Sequence, residues 1–341
     1  MDTRWMPAVA YRKSLPVQDD ESLLDVVIPV PQPGPHDLLV QVEAVAVNPV
    51  DYKVRQNSDP GGELKVLGWD AAGTVVAIGD EVTLFAVGDE VFYAGAIDRP
   101  GTNARFHVVD ESIVGPKPGS LSFAEAAALP LTSLTAWEGL FERLGLREDA
   151  PQDVGTLLVT AAAGGVGAMV TQLARKLTGL TVIGTASRPE TVAYAHRMGV
   201  AHVVDHHRSL PEQVAEVVPG GLDHIFSTAG TDRNLGAYAD MLRPFGQIVA
   251  IDDFGPVEIG LLKSKSISFH WELMFTRSLY RTPDRATQHH ILTRISQLVD
   301  EGALATTATR DLGTINATHL REAHRILESG SAIGKITLTG F

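Results

Sequence analysis

Cysteine is absent from the 341 residues, and that one gap removes disulfides, thiolate nucleophiles, iron–sulfur ligation and the usual Cys-containing zinc sites together. Any metal would have to be held by histidine and carboxylate. Positive charge is also short: 28 Lys and Arg stand against 41 Asp and Glu, a formal net charge of −13, the wrong sign for a protein whose main partner is a phosphate backbone. Nucleic acid is therefore not an expected partner. No stretch reaches the ~18 uninterrupted apolar residues of a membrane span. The segment Met1 to Ile28 is broken by Arg4, Arg12, Lys13 and the acidic run Asp19 to Glu21, which leaves no apolar core for a signal peptide. The expectation is a cytoplasmic protein with no membrane partner. The rest of the composition, 44% hydrophobic and 20% charged with 32 Gly and 19 Pro, is that of an ordinary globular chain, and the length argues for two domains.

From Val26 to about Val114 the chain consists of short β-rich runs separated by Pro and Gly: DLLVQVEAVAVN at 37–48, GTVVAIG at 73–79 and DEVFYAG at 89–95. Runs of that length predict a small β-barrel or sandwich. Near Ser122 the texture changes, and Leu134, Trp137, Leu140, Phe141 and Leu144 fall in a helical i, i+3, i+4 rhythm. Strands and helices then alternate: strands at 156–161, 181–186, 202–205 and 223–229 are each followed by a helical segment, a further strand lies at 247–252, and after SISFHW at 266–271 comes a helical stretch near 284–302. Alternation with apolar strands predicts an α/β fold with a doubly wound parallel sheet. The closing KITLTGF either completes that sheet or returns to the first domain, and periodicity leaves both open.

The segment VTAAAGGVGAMV puts Ala163, Gly164, Gly165, Val166 and Gly167 directly after a strand and at the start of a helix. In that setting glycines let a pyrophosphate approach the N–H groups of a helix N-terminus. The following strand ends at Ser187 and Arg188, where an NAD site usually carries an acidic residue for the ribose 2′-OH. A carboxylate would repel a 2′-phosphate, whereas Arg and Ser offer it donors, so NADPH is the expected cofactor. The plain alternative is an exposed Arg at a helix start, with Pro189 at the first helical position. His202, Asp205, His206 and His207 at a strand end, and the pairs His289/His290 and His319/His324, are weighed as metal ligands and set aside: alternating residues of the 202–207 run face opposite sides, and surface histidines are far commoner than zinc sites.

The motifs NPVDYKVR (48–55), LGWDAAGTVVAIGDEV (67–82), VGDEVF (87–92), LPLTSLTAWEGLF, AAAGGVG and the closing IGKITL resemble the medium-chain dehydrogenase/reductase superfamily over nearly the whole chain. The similarity is to its zinc-free quinone oxidoreductase, zeta-crystallin-like branch, whose members are often labelled zinc-type alcohol dehydrogenase-like. The resemblance implies a GroES-like β-rich catalytic domain from residues 1–127 and 269–341 and a Rossmann domain at 128–268. Cofactor and substrate would meet in the cleft between them. In the metal-dependent members a Cys stands about where this chain has Asn48 and a His about where it has Trp69, so no metal is expected. The resemblance further implies cofactor contacts from Asn48, Thr135, Thr228, the backbone around Ile251, Phe269, His270 and Lys335, and a place for His206 near the 2′-phosphate. A homodimer through the last Rossmann strand is expected on the same grounds.

Reducing a simple carbonyl builds alkoxide charge on one oxygen, which normally calls for zinc or a strong acid. Conjugate reduction spreads the charge into an enolate or hydroquinone anion, so neutral donors suffice. The expected function is therefore hydride transfer from NADPH to a small quinone or an α,β-unsaturated carbonyl. Asn48 is expected to orient nicotinamide or substrate and Tyr52 to stabilise the oxyanion or supply its proton, with Asp51 bracing the loop or pairing with Lys53 or Arg55. The alternatives are a zinc-dependent alcohol dehydrogenase, an NADPH-binding protein with little turnover, and a thioester reductase inside a larger assembly, for which no basic carrier site is evident.

Overall fold

The run DLLVQVEAVAV forms the strand Asp37–Val47, and its nearly continuous burial follows from pairing on both edges. One edge lies antiparallel to Asp70–Ile78, the other to Phe106–Asp110 and then to Lys335–Thr339. The computed structural model describes residues 4–148 and 150–341. It divides into two compact units, the chain up to Leu134 together with Phe275–Phe341, and Thr135–Met274.

In the first unit a seven-stranded sheet runs in the order 308–311, 335–339, 37–47, 70–78, 90–93, 114–116, with 106–110 also paired to 37–47. The C-terminal KITLT is thus a strand of this unit. A smaller sheet of Leu24–Pro29, Trp5–Tyr11 and Lys65–Val66 packs through Met6, Ala8, Ala10, Val66 and Ala104. Between the strands 37–47 and 70–78 sits the helix Pro49–Asn57. Proline is suited to its first position because the missing N–H would have no helical acceptor, and Asp51 in its first turn complements the helix dipole.

The second unit is a six-stranded parallel sheet in the spatial order 202–204, 178–185, 150–159, 222–227, 242–250, 268–271. In sequence terms that is 3-2-1-4-5-6, the doubly wound arrangement expected from strand and helix alternation. Leu158, Ile183, Ile225, Leu235, Tyr238 and Ile248 are among the side chains that fill its core. The helical rhythm after Ser122 yields Phe123–Ala127, Pro130–Trp137 and then a wide π-turn at Glu138–Arg143 instead of one helix. Pro130 forbids a continuous first stretch. In the π-turn Gly139 lies so near Phe226 that an added Cβ would stand 2.3 Å from its ring. Among the described residues no helix is long and apolar enough to cross a membrane.

Candidate cofactor and active-site elements

In the second unit the strand Ala150–Val159 ends in a tight turn before the helix Gly165–Leu177. Ala161 is held at φ +46°, a left-handed conformation that a residue with a Cβ rarely takes. The next strand enforces it: Thr185 Oγ1 accepts from the Ala161 N–H at 2.9 Å and its carbonyl from Ala162 at 3.1 Å, while Gly164 donates back to the Ala161 carbonyl at 2.8 Å. Gly167 is required by close approach, because a Cβ there would lie 2.5 Å from the Ala161 carbonyl oxygen. Gly164 caps the helix without a side chain, so the first-turn amides of Gly165, Val166 and Gly167 face outward uncapped. Uncapped amides at the positive end of a helix dipole, on the carboxyl side of a parallel sheet, form a site for a pyrophosphate.

The sheet order brings the other expected cofactor residues to the same carboxyl ends. Ser187 and Arg188 follow the strand Thr178–Thr185, His206 follows His202–Val204, Thr228 follows Leu222–Ser227 and Ile251 follows Leu242–Ala250. Arg188 ion-pairs with Glu190 at 2.8 Å, both partly exposed. Arg188 also lies close enough to His206 to join burial and His207 in lowering its pKa below 6.5, so the ring stays neutral near pH 7. Thr228 is fixed by two 2.7 Å hydrogen bonds with Thr160, its hydroxyl donating to the Thr160 carbonyl and its backbone N–H to Thr160 Oγ1. Phe269 and His270 lie on the edge strand Ser268–Trp271, where Phe269 packs edge-on to Trp271. Thr135 is buried at the start of this unit.

In the first unit three neighbouring strands end together, and there the structure gathers a cluster not foreseen as such. Lys335 opens its strand, Asp70 opens another, and Asn48 follows the end of the antiparallel strand between them. Lys335 and Asp70 are 4% and 0% exposed and 2.9 Å apart. The Lys335 ammonium also donates to the Val47 carbonyl at 3.0 Å and to Asn48 Oδ1. Asn48, 2% exposed, turns its Nδ2 to Asp70 Oδ2 at 2.8 Å. The other Asp70 oxygen accepts from the Leu131 amide at 2.8 Å. Asp51 accepts from the Asn48 amide at 2.7 Å, and burial pushes its carboxyl up to about 7 despite that bond and Lys335.

This geometry places two of the expected residues in contacts within the protein. Lys335 was expected at the cofactor, yet its three donors are engaged inside the β-rich unit, because an ammonium removed from water must be matched by acceptors. Asn48 was expected to present its amide to nicotinamide or substrate, but the amide oxygen takes Lys335 and its nitrogen Asp70. Asp51 does brace the loop; Arg55 instead reaches Leu15, His324 and Glu328. Tyr52, one residue beyond Asp51, is half-buried, and its hydroxyl has no partner among the described residues. Trp69 donates its indole N–H to the Ala96 carbonyl at 3.2 Å.

A zinc site does not fit these residues. Trp69 has no lone pair to offer, the Asn48 oxygen is occupied by a cation, and no three His, Cys, Asp or Glu side chains stand together as ligands among the described residues. The pair Asp70 and Lys335 left one legible signal: each is a lone charge in an apolar β segment, GWDAAG and GKITL, and two such opposite charges are candidates for one another. Glu272, after the edge strand, left none. It is buried, its carboxyl pushed up by burial, with Arg143 Nε at 2.9 Å.

Residues 34–138 match the family model of the alcohol dehydrogenase GroES-like domain, and residues 165–282 that of zinc-binding dehydrogenase. A zinc-type alcohol dehydrogenase-like protein of Staphylococcus epidermidis is 38% identical over 336 residues, 98% of this chain and 99% of the relative. A crystal structure from Rhizobium etli, provisionally labelled a zinc-dependent alcohol dehydrogenase, is 50% identical and superimposes with a TM-score of 0.94 over 99% of both chains. A 2-methylene-furan-3-one reductase of Solanum lycopersicum is 34% identical over 212 residues, 60% of this chain and 52% of the relative.

Proposed function

Because the chain belongs to the medium-chain dehydrogenase/reductase superfamily, among its zinc-type alcohol dehydrogenase-like members, we propose that it is an NADPH-dependent reductase of quinones or α,β-unsaturated carbonyls that works without a catalytic metal. The observation that carries this reading is the state of the two side chains at the metal position: Asn48 and Trp69 are both bound to protein partners, while the hydroxyl of Tyr52, four residues after Asn48 in the chain, has none among the described residues.

When bound, the nicotinamide supplies a hydride. The loop from Ala163 to Gly167 holds the pyrophosphate on its amides, and Ser187, Arg188 and His206 supply donors for the 2′-phosphate. Thr135, Thr228, Ile251, Phe269 and His270 line the remaining length of the dinucleotide. A single neutral donor is a poor match for the localised charge of an alkoxide. It is adequate where charge spreads through an enolate or hydroquinone anion, and Tyr52 donates to that oxygen and supplies the proton. The enone reductase among the relatives supports this acceptor class. The edge strand Ser268–Trp271, with Trp271 55% exposed, supports a homodimer that covers it, which light scattering tests by mass.

The test is oxidation of NADPH by chelator-treated protein with a benzoquinone and with a medium-chain enal, in parallel with NADH and with a saturated aldehyde. Oxidation that prefers NADPH, survives the chelator and is faster with the conjugated acceptors is expected. Activity that needs added zinc, or turnover confined to the saturated aldehyde, would overturn the reading.

A further inference from the structure

Burying one ammonium and two carboxylates at the end of a sheet is an expensive way to stabilise a domain. Apolar side chains of the same volume often do as well, so such a cluster invites a search for what its geometry fixes. Here the three strands in register settle the question. Val47 pairs with Ile336 and Ala46 with Asp70, so Lys335 and Asp70 flank the last residues of the central strand from either side. Between them hangs Asn48, the residue at which strand turns into helix.

We propose that Lys335 and Asp70 are a positioning pair: by gripping the two ends of the Asn48 amide they fix where the helix Pro49–Asn57 begins and so aim Tyr52. This rests on the reading of Tyr52 given above. The grip is directional. An ammonium only donates and a carboxylate only accepts, so oxygen must face Lys335 and nitrogen Asp70, and the amide has a single permitted orientation. Lys335 also holds the Val47 carbonyl at 3.0 Å, which fixes the peptide just before Asn48. From Asn48 the constraint passes to Asp51 through the 2.7 Å bond from the Asn48 amide, and Tyr52 is the next residue. The second Asp70 oxygen, accepting from Leu131, holds the carboxylate from a third side and keeps it from following the lysine. Three fixed points on Asn48 leave the first helical turn no freedom to rotate, and a turn of the helix start by a few degrees would displace the Tyr52 phenol that this turn carries.

Lys335→Met alone strands the Asp70 charge and is expected to unfold readily, so the informative variant is Lys335→Met/Asp70→Asn, which removes both charges and keeps an acceptor for Leu131. It should fold, bind NADPH within twofold of the parent by fluorescence titration, and lose at least tenfold in kcat with the conjugated acceptor. Asp70→Asn with Lys335 retained should fall between the two. A double variant with unchanged kcat would overturn the proposal, and parallel loss of NADPH binding would do so too, by returning Lys335 to the cofactor. A readout independent of turnover is the Asn48 side-chain amide in a nitrogen-15 spectrum, assigned by its disappearance in Asn48→Ser. Its two protons should exchange slowly in the parent and rapidly in the double variant; equal exchange would overturn the clamp. If the parent transfers hydride to no acceptor while the amide is protected, the reading of Tyr52 has failed and the clamp has not.

Discussion

Arg55 and His324 are 269 residues apart in the chain and 3.3 Å apart in the fold, with the guanidinium Nε donating to the ring Nδ1. The contact ties the helix that carries Tyr52 to the C-terminal helix Ala317–Glu328, and Arg55 adds the Leu15 carbonyl and Glu328. Arg55→Leu leaves these partners with nothing in return, and a loss of about 3 kcal/mol in urea unfolding is expected.

Because His324 accepts at Nδ1, it must be neutral, and burial together with Arg55 lowers it to about 3; burial lowers His107 to about 4 in the same way. The folded values lie below 6.5, so the unfolded chain binds the protons first. The stabilisation is complete above pH 6.5 and is lost as pH falls toward these values. Unfolding free energy should drop by up to about 3 kcal/mol for each ring between pH 6.5 and 4. His324→Asn should flatten that slope by one proton, and a flat profile in the parent would refute the assignment.

Asp51 has the opposite sign. Its folded value, about 7, lies above the ordinary 3.8, so its contribution is fully present below 3.8 and is lost as pH rises through 7. Asp51→Asn keeps an acceptor for the Asn48 amide and removes the buried charge. Its stability relative to the parent should therefore improve between pH 5 and 8, which thermal melts across that range will register.

At the glycine turn, Ala161→Gly relieves a left-handed φ and should raise stability by about 1 kcal/mol. Gly167→Ala drives a Cβ into the Ala161 carbonyl and should lower both the melting temperature and NADPH affinity.

Arg188→Ala should raise the KM for NADPH at least tenfold and that for NADH less than threefold, since only the former carries the 2′-phosphate. His206 is neutral near pH 7, so a bound dianion would draw a proton onto it. NADPH affinity should strengthen as pH falls below 6.5, with no matching trend for NADH, as calorimetric titrations at several pH values will record.

Tyr52→Phe removes a hydroxyl that has no protein partner among the described residues, so the fold should be untouched while kcat with enones falls by about 100-fold. Unchanged turnover would take Tyr52 out of the chemistry.

The glycine turn was legible because it is local: strand, glycines and helix lie within one short stretch, and Gly167 is demanded by contacts only a few residues away. The alternation of strands and helices from 156 to 252 likewise determined the parallel sheet, since a parallel strand needs a crossover of that length. Tertiary structure alone decided the other half. Lys335 read as a cofactor contact and Arg55 as a partner for Asp51 because the residues next to them in sequence do not show which of Asp70, Asn48, His324 and Glu328 the fold brings against them. Asn48 read as a donor because an amide is defined by whatever meets it, and what meets it arrives from strands 22 and 287 residues away. Local sequence sets backbone geometry and binary pattern; the partners of a buried charge are set by which strands the sheet places side by side.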